Sequence, residues 1–308
     1  MWRLSNYKNH IEGLEELNME DILRPIYQER ASMQSTLGIL LIEKRQNDSP
    51  ITDTFDYVLF VIVNEANEAV FVKHYTYRDQ KAALHVVHEQ QLKDWLLLGT
   101  NRKVVDWIQS GKILFDRNEF LSNLKTEIRE FPFYGRKIKM GIEFAKLIRR
   151  YMDGKAFFEN GHYLDAYNHV VHSLHHLARL EIIEQGFHPE VTVWNQVRHM
   201  EPEIYKLYEE LVCSEESLEQ RLELLFLASE FLIYSRTNLG SQHLLEVMDT
   251  KGDKWSIAEL MEHPELIHYS IDLGVLLEYL IDKQVIDVVK VETKGREIYH
   301  RFYQVKNY

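Results

Sequence analysis

The hydrophobic and polar positions divide the chain into three regimes. Up to about residue 120 the pattern is mixed. Asn18 to Gln34 carries Ile22, Leu23, Ile26 and Tyr27 on one helical stripe. Strand-like runs follow at Thr36–Ile42, Asp56–Val63, Ala69–Tyr77 and Ala82–Val87, with a turn-rich loop at Gln46–Asp53 between the first two. The Asp56–Val63 run is almost continuously apolar, which suits a strand buried on both faces, whereas Ala69–Tyr77 alternates and suits a half-exposed one. Helices are predicted over Glu89–Leu97 and Asn101–Gln109, the second closed by Gly111, and Lys112–Asp116 reads as a short last strand.

From about 117 to 248 the period is helical throughout. Phe144, Leu147, Ile148 and Tyr151 mark one stripe. Leu164, Tyr167, Val171, Leu174 and Leu177 mark a second, and Leu218, Leu222, Leu225, Ser229 and Leu232 a third. Gly186–Glu190 breaks the helical run. After a hinge at Thr250–Asp253 come a small helix that Ser256 caps, a second helix over His268–Lys283, and two strands around Thr293–Gly295. Helix, helix and hairpin at a chain end form the winged-helix pattern. The predicted divisions are 1–118, 119–249 and 250–308.

Composition narrows the setting. The 308 residues carry 36 Lys and Arg against 48 Asp and Glu, a net charge of −12, and 45% are hydrophobic. That apolar share supports a packed core and argues against disorder. No apolar run is long enough for a membrane span, and the N-terminal residues show no signal-peptide core. With Cys213 as the lone cysteine there is no intrachain disulfide and no Cys-rich zinc site. The chain therefore reads as cytoplasmic, without a membrane partner. Its acidity argues against a nonspecific nucleic-acid coat, because phosphates require positive surface. P-loop, dinucleotide-binding and nucleophile-elbow motifs are absent from the sequence.

Gly38 in the first strand, Asp56 opening the second, and Gly111–Asp116 as a closing segment follow the order of the nucleotidyltransferase fold. The N-terminal part resembles that fold as it occurs in kanamycin nucleotidyltransferase and DNA polymerase β. With the helical middle and the winged helix, the chain resembles the nucleotidyltransferase-like proteins of Bacillus-type bacteria. The resemblance implies an α+β fold in three parts: a mixed α/β nucleotidyltransferase-like domain, an all-α middle domain like the family's substrate-side domain, and a C-terminal winged helix-turn-helix. It further implies a nucleotide as ligand, Gly38 at the phosphate turn, and a divalent metal, magnesium if the protein is active, held at Asp56.

The sequence departs from the family where the chemistry is done. Ile39 follows Gly38 where the family has a phosphate-binding Ser. Val58 stands where the second metal carboxylate belongs, and Lys81–Val87 contains no carboxylate at all. Asp53 and Asp79 are the nearest substitutes, and Asp53 lies three residues from Asp56, so a regular strand points the two to opposite faces. Magnesium needs several oxygen ligands in near-octahedral order, which one Asp does not supply. The expectation is a pseudoenzyme: a nucleotidyltransferase-like protein with a degenerate metal site that binds or regulates. The alternatives are an active transferase, moving NMP from an NTP through Asp56 with Asp53 or Asp79, and a DNA-binding regulator.

Three further groupings carry chemistry. Asp165, His169, His172 and His176 are spaced 4, 3 and 4 apart and share one helix face. They read either as a transition-metal site or as a polar seam between packed helices. Arg136, Lys137, Lys139, Lys146, Arg149 and Arg150 form the most basic stretch, either a phosphate-facing patch or a solvated, salt-bridged helix face. In the winged helix the helix His268–Lys283 carries Asp272, Glu278 and Asp282 and no Arg, and segment 253–308 has seven Lys and Arg against ten Asp and Glu. Four of those seven basic residues are concentrated in the hairpin, at Lys290, Lys294, Arg296 and Arg301. A wing of this kind reaches DNA phosphates, while the acidic helix suits protein docking or self-association better than base readout.

Overall fold

The computed structural model describes residues 19–44, 51–131 and 133–306. Asn18, the N-terminal residues and Gln46–Pro50 of the predicted loop lie outside the described residues. Two compact units result. Of the described residues, the first comprises those up to Leu96 together with Lys103–Thr126, and the second comprises Leu97–Arg102 and those from Glu127 onward.

In the first unit, helix α1 (Met19–Ser32) leads into a sheet of β1 (Thr36–Glu43), β2 (Tyr57–Val63), β3 (Val70–Tyr77), β4 (Gln80–His88) and β5 (Lys112–Asp116). Between β4 and β5 run α2 (Glu89–Leu98) and α3 (Lys103–Ser110), and α4 (Phe120–Glu130) follows β5. The strand order is β3-β4-β2-β1-β5, with β2 and β4 parallel and the other pairs antiparallel. β1 and β2 sit centrally and bury both faces, the physical origin of their unbroken apolar runs. On one face Leu23 of α1 packs with Ile39, Leu41, Leu59, Val61 and Leu84. On the other, the Phe60 ring meets Trp107 of α3 at 5.2 Å. Strand β3 lies at the sheet edge and is half exposed, as its alternation predicts.

The second unit is helical: α5 (Phe133–Glu159), α6 (Tyr163–Glu184), α7 (Val193–Met200), α8 (Pro202–Cys213), α9 (Leu218–Ser235) and α10 (Thr237–Asp249). The predicted break at Gly186–Glu190 separates α6 from α7. The winged helix follows as α11 (Ile257–Glu262), α12 (Asp272–Asp282), β6 (Ile286–Glu292) and β7 (Tyr299–Val305). Ser256 caps α11 in a reciprocal box with Glu259, as its sequence predicts. Trp255 exchanges two backbone hydrogen bonds of 2.8 Å with Tyr303 and so adds to the wing. The helix predicted over His268–Lys283 is shorter. Ile267–Tyr269 forms a separate 3-10 turn, and Ser270 at φ 50° interrupts the chain before α12. The middle helices and the winged helix share one core, running from Phe131 through Leu174, Leu225 and Leu244 to Leu276 and Tyr303.

Candidate functional site

At the sheet, Asp56 closes the entry to β2. Its backbone N–H donates to Lys81 O at 2.9 Å, and its Oδ2 accepts the Lys81 backbone N–H at 2.9 Å. The carboxylate thus ties the start of β4 to the start of β2. Val58, two residues on, is 1% exposed and pairs with Ile42 and Ala83 inside the sheet. Ala82 and Ala83 occupy the facing stretch of β4. Asp53 has φ 54°, is exposed, and ion-pairs with Lys103. Asp79 lies in the exposed turn between β3 and β4. The two Asp side chains are therefore directed to different partners, and this donor set does not fit an octahedral magnesium ion. Among the described residues no group of three or more His, Cys, Asp or Glu is arranged to hold a metal.

Gly38 is set by packing. It pairs with Ile62 and Asp116, and a Cβ there would run into the Leu121 side chain of α4. Asp116, at the end of β5, accepts the backbone N–H groups of Leu121 at 2.8 Å and Ser122 at 3.1 Å, which caps α4. His85 packs on Trp107, while His88 accepts the Gln90 N–H and contacts Asn64 O, as residues at a strand end do. A pocket of about 360 Å³ opens at the Val63 end of β2, lined by Arg30, Ser35, Glu65, Asn67 and Phe71. Asp56 stands at the opposite end of that strand.

The helical unit holds the strongest electrostatics. On α5, Glu143 is 1% exposed. Its Oε1 meets Arg179 of α6 at 3.2 Å and its Oε2 meets His176 at 2.8 Å, with Lys146 at 3.9 Å. Burial alone would raise its pKa. Arg179 first, then His176 and Lys146, outweigh that and hold the carboxyl far below its usual range. The loop Leu97–Arg102 closes over this group. Leu98 O accepts from Lys146 at 3.5 Å, and Gly99, at φ +64°, lies so close to the Arg179 guanidinium that a Cβ would collide with it.

The histidines of α6 divide among separate partners. His169 lies 3.8 Å from Asp153 and against the Phe157 ring, His176 holds Glu143, and His172 lies near Arg150. Asp165 at the start of α6 is exposed. The basic stretch of α5 is not the solvated face that its sequence suggests. Lys137 and Lys139 are 8% and 3% exposed, Lys137 pairs with Glu246, and Lys139 lies 3.4 Å from His188 over the Phe131 ring. Burial, then Arg179, lowers the Lys139 pKa to about 7. Arg149 pairs with Asp272 and also donates to Ile271 O. The N-terminus of α12 is thereby bound to α5. Tyr269 and Tyr279 add bonds to α10, through His243 at 3.0 Å and Thr237 at 2.8 Å. On the wing, Lys290 pairs across the hairpin with Arg301, which ion-pairs with Glu278 at 2.9 Å, while Lys294 and Arg296 are exposed in the turn. Glu143 and Arg102 escaped the sequence reading. The signal for Glu143 was its spacing of 4 and 3 from Lys139 and Lys146 on one helix face.

These parts define a class: a nucleotidyltransferase-like sheet followed by a helical domain and a helix-turn-helix. Family models match in the same order, as nucleotidyltransferase-like over residues 19–136, YgxA-like substrate binding domain over 137–236, and helix-turn-helix domain over 242–305. The chain is 57% identical over 288 residues to the uncharacterized protein YgxA of Bacillus subtilis, covering 94% of this chain and 98% of that one. It also matches the crystal structure of a nucleotidyltransferase-like protein from Exiguobacterium sibiricum, with TM-score 0.79, 44% identity and coverage of 94% and 99%. The chain belongs to the YgxA family of nucleotidyltransferase-like proteins. No helix among the described residues is long and apolar enough to cross a membrane.

Proposed function

We propose that this protein uses the nucleotidyltransferase-like fold for binding or regulation and does not transfer nucleotides. One observation carries the reading: the Asp56 carboxylate is bonded to the Lys81 amide, and the position two residues on is the buried Val58. Two-metal transfer needs carboxylates that converge on shared ions, which then orient the phosphates and stabilise developing charge. Here the carboxylate serves strand pairing, and the facing strand supplies alanines. The winged helix is assigned to packing within the chain and to protein contacts, because the start of α12, where base-reading residues sit in DNA-binding relatives of this motif, is held by Arg149.

The test is transfer of label from each of the four NTPs, with magnesium and with manganese, by wild type and by Asp56→Ala. The expected outcome is no transfer above background in either protein. Metal-dependent NMP transfer that disappears in Asp56→Ala would overturn the reading.

A further inference from the structure

The seam between α5 and α6 carries a marked excess of positive charge. On α5, Lys139, Glu143, Lys146 and Arg150 are spaced 4, 3 and 4 apart and share one face. On α6, His169, His172, His176 and Arg179 are spaced 3, 4 and 3 apart and share another. The helices run antiparallel, so Arg179 and His176 meet Glu143, His172 meets Arg150, and His169 meets Asp153. Glu143 already spends both oxygens, on Arg179 and His176. Asp153, one turn beyond Arg150, stands 3.8 Å from His169. Arg102, from the loop that closes the seam, is exposed above Arg179 and Glu143. Among the described residues, neither Arg102 nor Arg150 has an ion-pair partner.

We propose that this seam binds the polyphosphate chain of a small anionic ligand, with Arg102 and Arg150 as the reaching groups and Lys146, His172 and His176 between them. Guanidinium forks match the spacing of phosphate oxygens and keep their charge at every physiological pH. Two forks with an ammonium and imidazoles between them suit a run of linked phosphates better than a single one. Glu143 does not repel such a ligand strongly, because Arg179 balances its charge and His176 occupies its other oxygen. Instead it fixes Arg179 and His176 in place, as a buried support for an anion site. The surroundings report the same field. His175 is pushed down to about 3, by burial first and then by Arg102 and Arg179, and His172 is lowered by burial and then by Arg150 and His176. An arriving anion relieves that repulsion, so His172 should become easier to protonate when the ligand is bound.

The proposal names the ligand class for the binding role proposed above and rests on that reading, but its test is independent of it. Full-length protein is titrated calorimetrically with sodium tripolyphosphate, and separately with ATP, in EDTA at low salt. Saturable binding is expected, weakened about ten-fold or more in Arg102→Gln and in Arg150→Gln, the loss expected for a charge-assisted contact. It should be unchanged in Arg24→Gln, a control on α1. Tighter binding of ATP than of tripolyphosphate identifies a nucleotide as the source, and equal binding identifies the polyphosphate chain itself. NMR titration of His172 should show a higher pKa in the complex. Absence of saturable binding to wild type overturns the proposal, as does undiminished binding in both Arg variants with unchanged melting curves. Metal-dependent transfer alongside Arg102-dependent binding in EDTA would end the non-catalytic reading and leave this site standing.

Discussion

Replacing Glu143 by Gln keeps the shape of the side chain and removes its charge. The Glu143 and Arg179 side chains are 2% and 4% exposed, so Arg179 is left with an uncompensated charge that water reaches poorly. Removing one partner of a buried pair costs about 3–5 kcal/mol. For a unit of this size, each kcal/mol moves the melting temperature by roughly 2–4 °C, so a fall of about 6–20 °C is expected. Far-UV circular dichroism during heating at pH 7 reads it directly. The pH dependence checks the cause. The folded carboxyl has a depressed pKa, so its contribution is complete above the unfolded value of about 4.3 and is lost as pH falls through the folded value. Wild type and Glu143→Gln should therefore converge as the pH is lowered well below 4. Combining Glu143→Gln with Arg179→Met should cost less than the sum of the two, by about 1–3 kcal/mol. A fall of less than about 1 kcal/mol at pH 7, with additive double-variant behaviour, would refute the view that these charges support each other.

Further outcomes follow from local geometry. Asp56→Ala should lower the stability of the first unit by about 1.5–3 kcal/mol in urea unfolding, because the Lys81 amide loses a charged acceptor. Gly38→Ala should cost about 1–3 kcal/mol by forcing Leu121 aside, and Leu121→Ala in the same chain should recover part of the loss. On α9, Leu225→Ala should cost about 2–5 kcal/mol, whereas Leu227→Ala should change stability by less than about 0.5 kcal/mol, since the first is 2% and the second 65% exposed. Replacing both Lys294 and Arg296 by Ala should leave retention on duplex DNA unchanged at physiological salt. A salt-sensitive loss of binding in that variant would revive the DNA-binding reading.

Much of the architecture was legible because periodicity is a local property. The runs at β1 and β2, the alternation of β3, the Ser256 cap and the break at Gly186 each depend on residues within a few positions of one another. That position 58 carries valine in place of a carboxylate was legible too, and the structure buries that valine inside the sheet. The boundary at His268 was not, because Ser270 adopts a left-handed conformation that the surrounding apolar pattern does not announce. The basic stretch of α5 misled for a related reason. Charge in a sequence does not reveal whether water or another helix lies opposite.

By itself the sequence determined that Lys139, Glu143, Lys146 and Arg150 share one helix face, and that His169, His172, His176 and Arg179 share another. Helical geometry makes that a matter of counting. Only the tertiary structure decided that the two faces meet, that Gly99 lets a loop close over Arg179, and that Arg149 holds the start of α12 some 120 residues away along the chain. Those pairings are made by packing over long sequence separations, where many registers satisfy the same pattern and the shape of the shared core selects one.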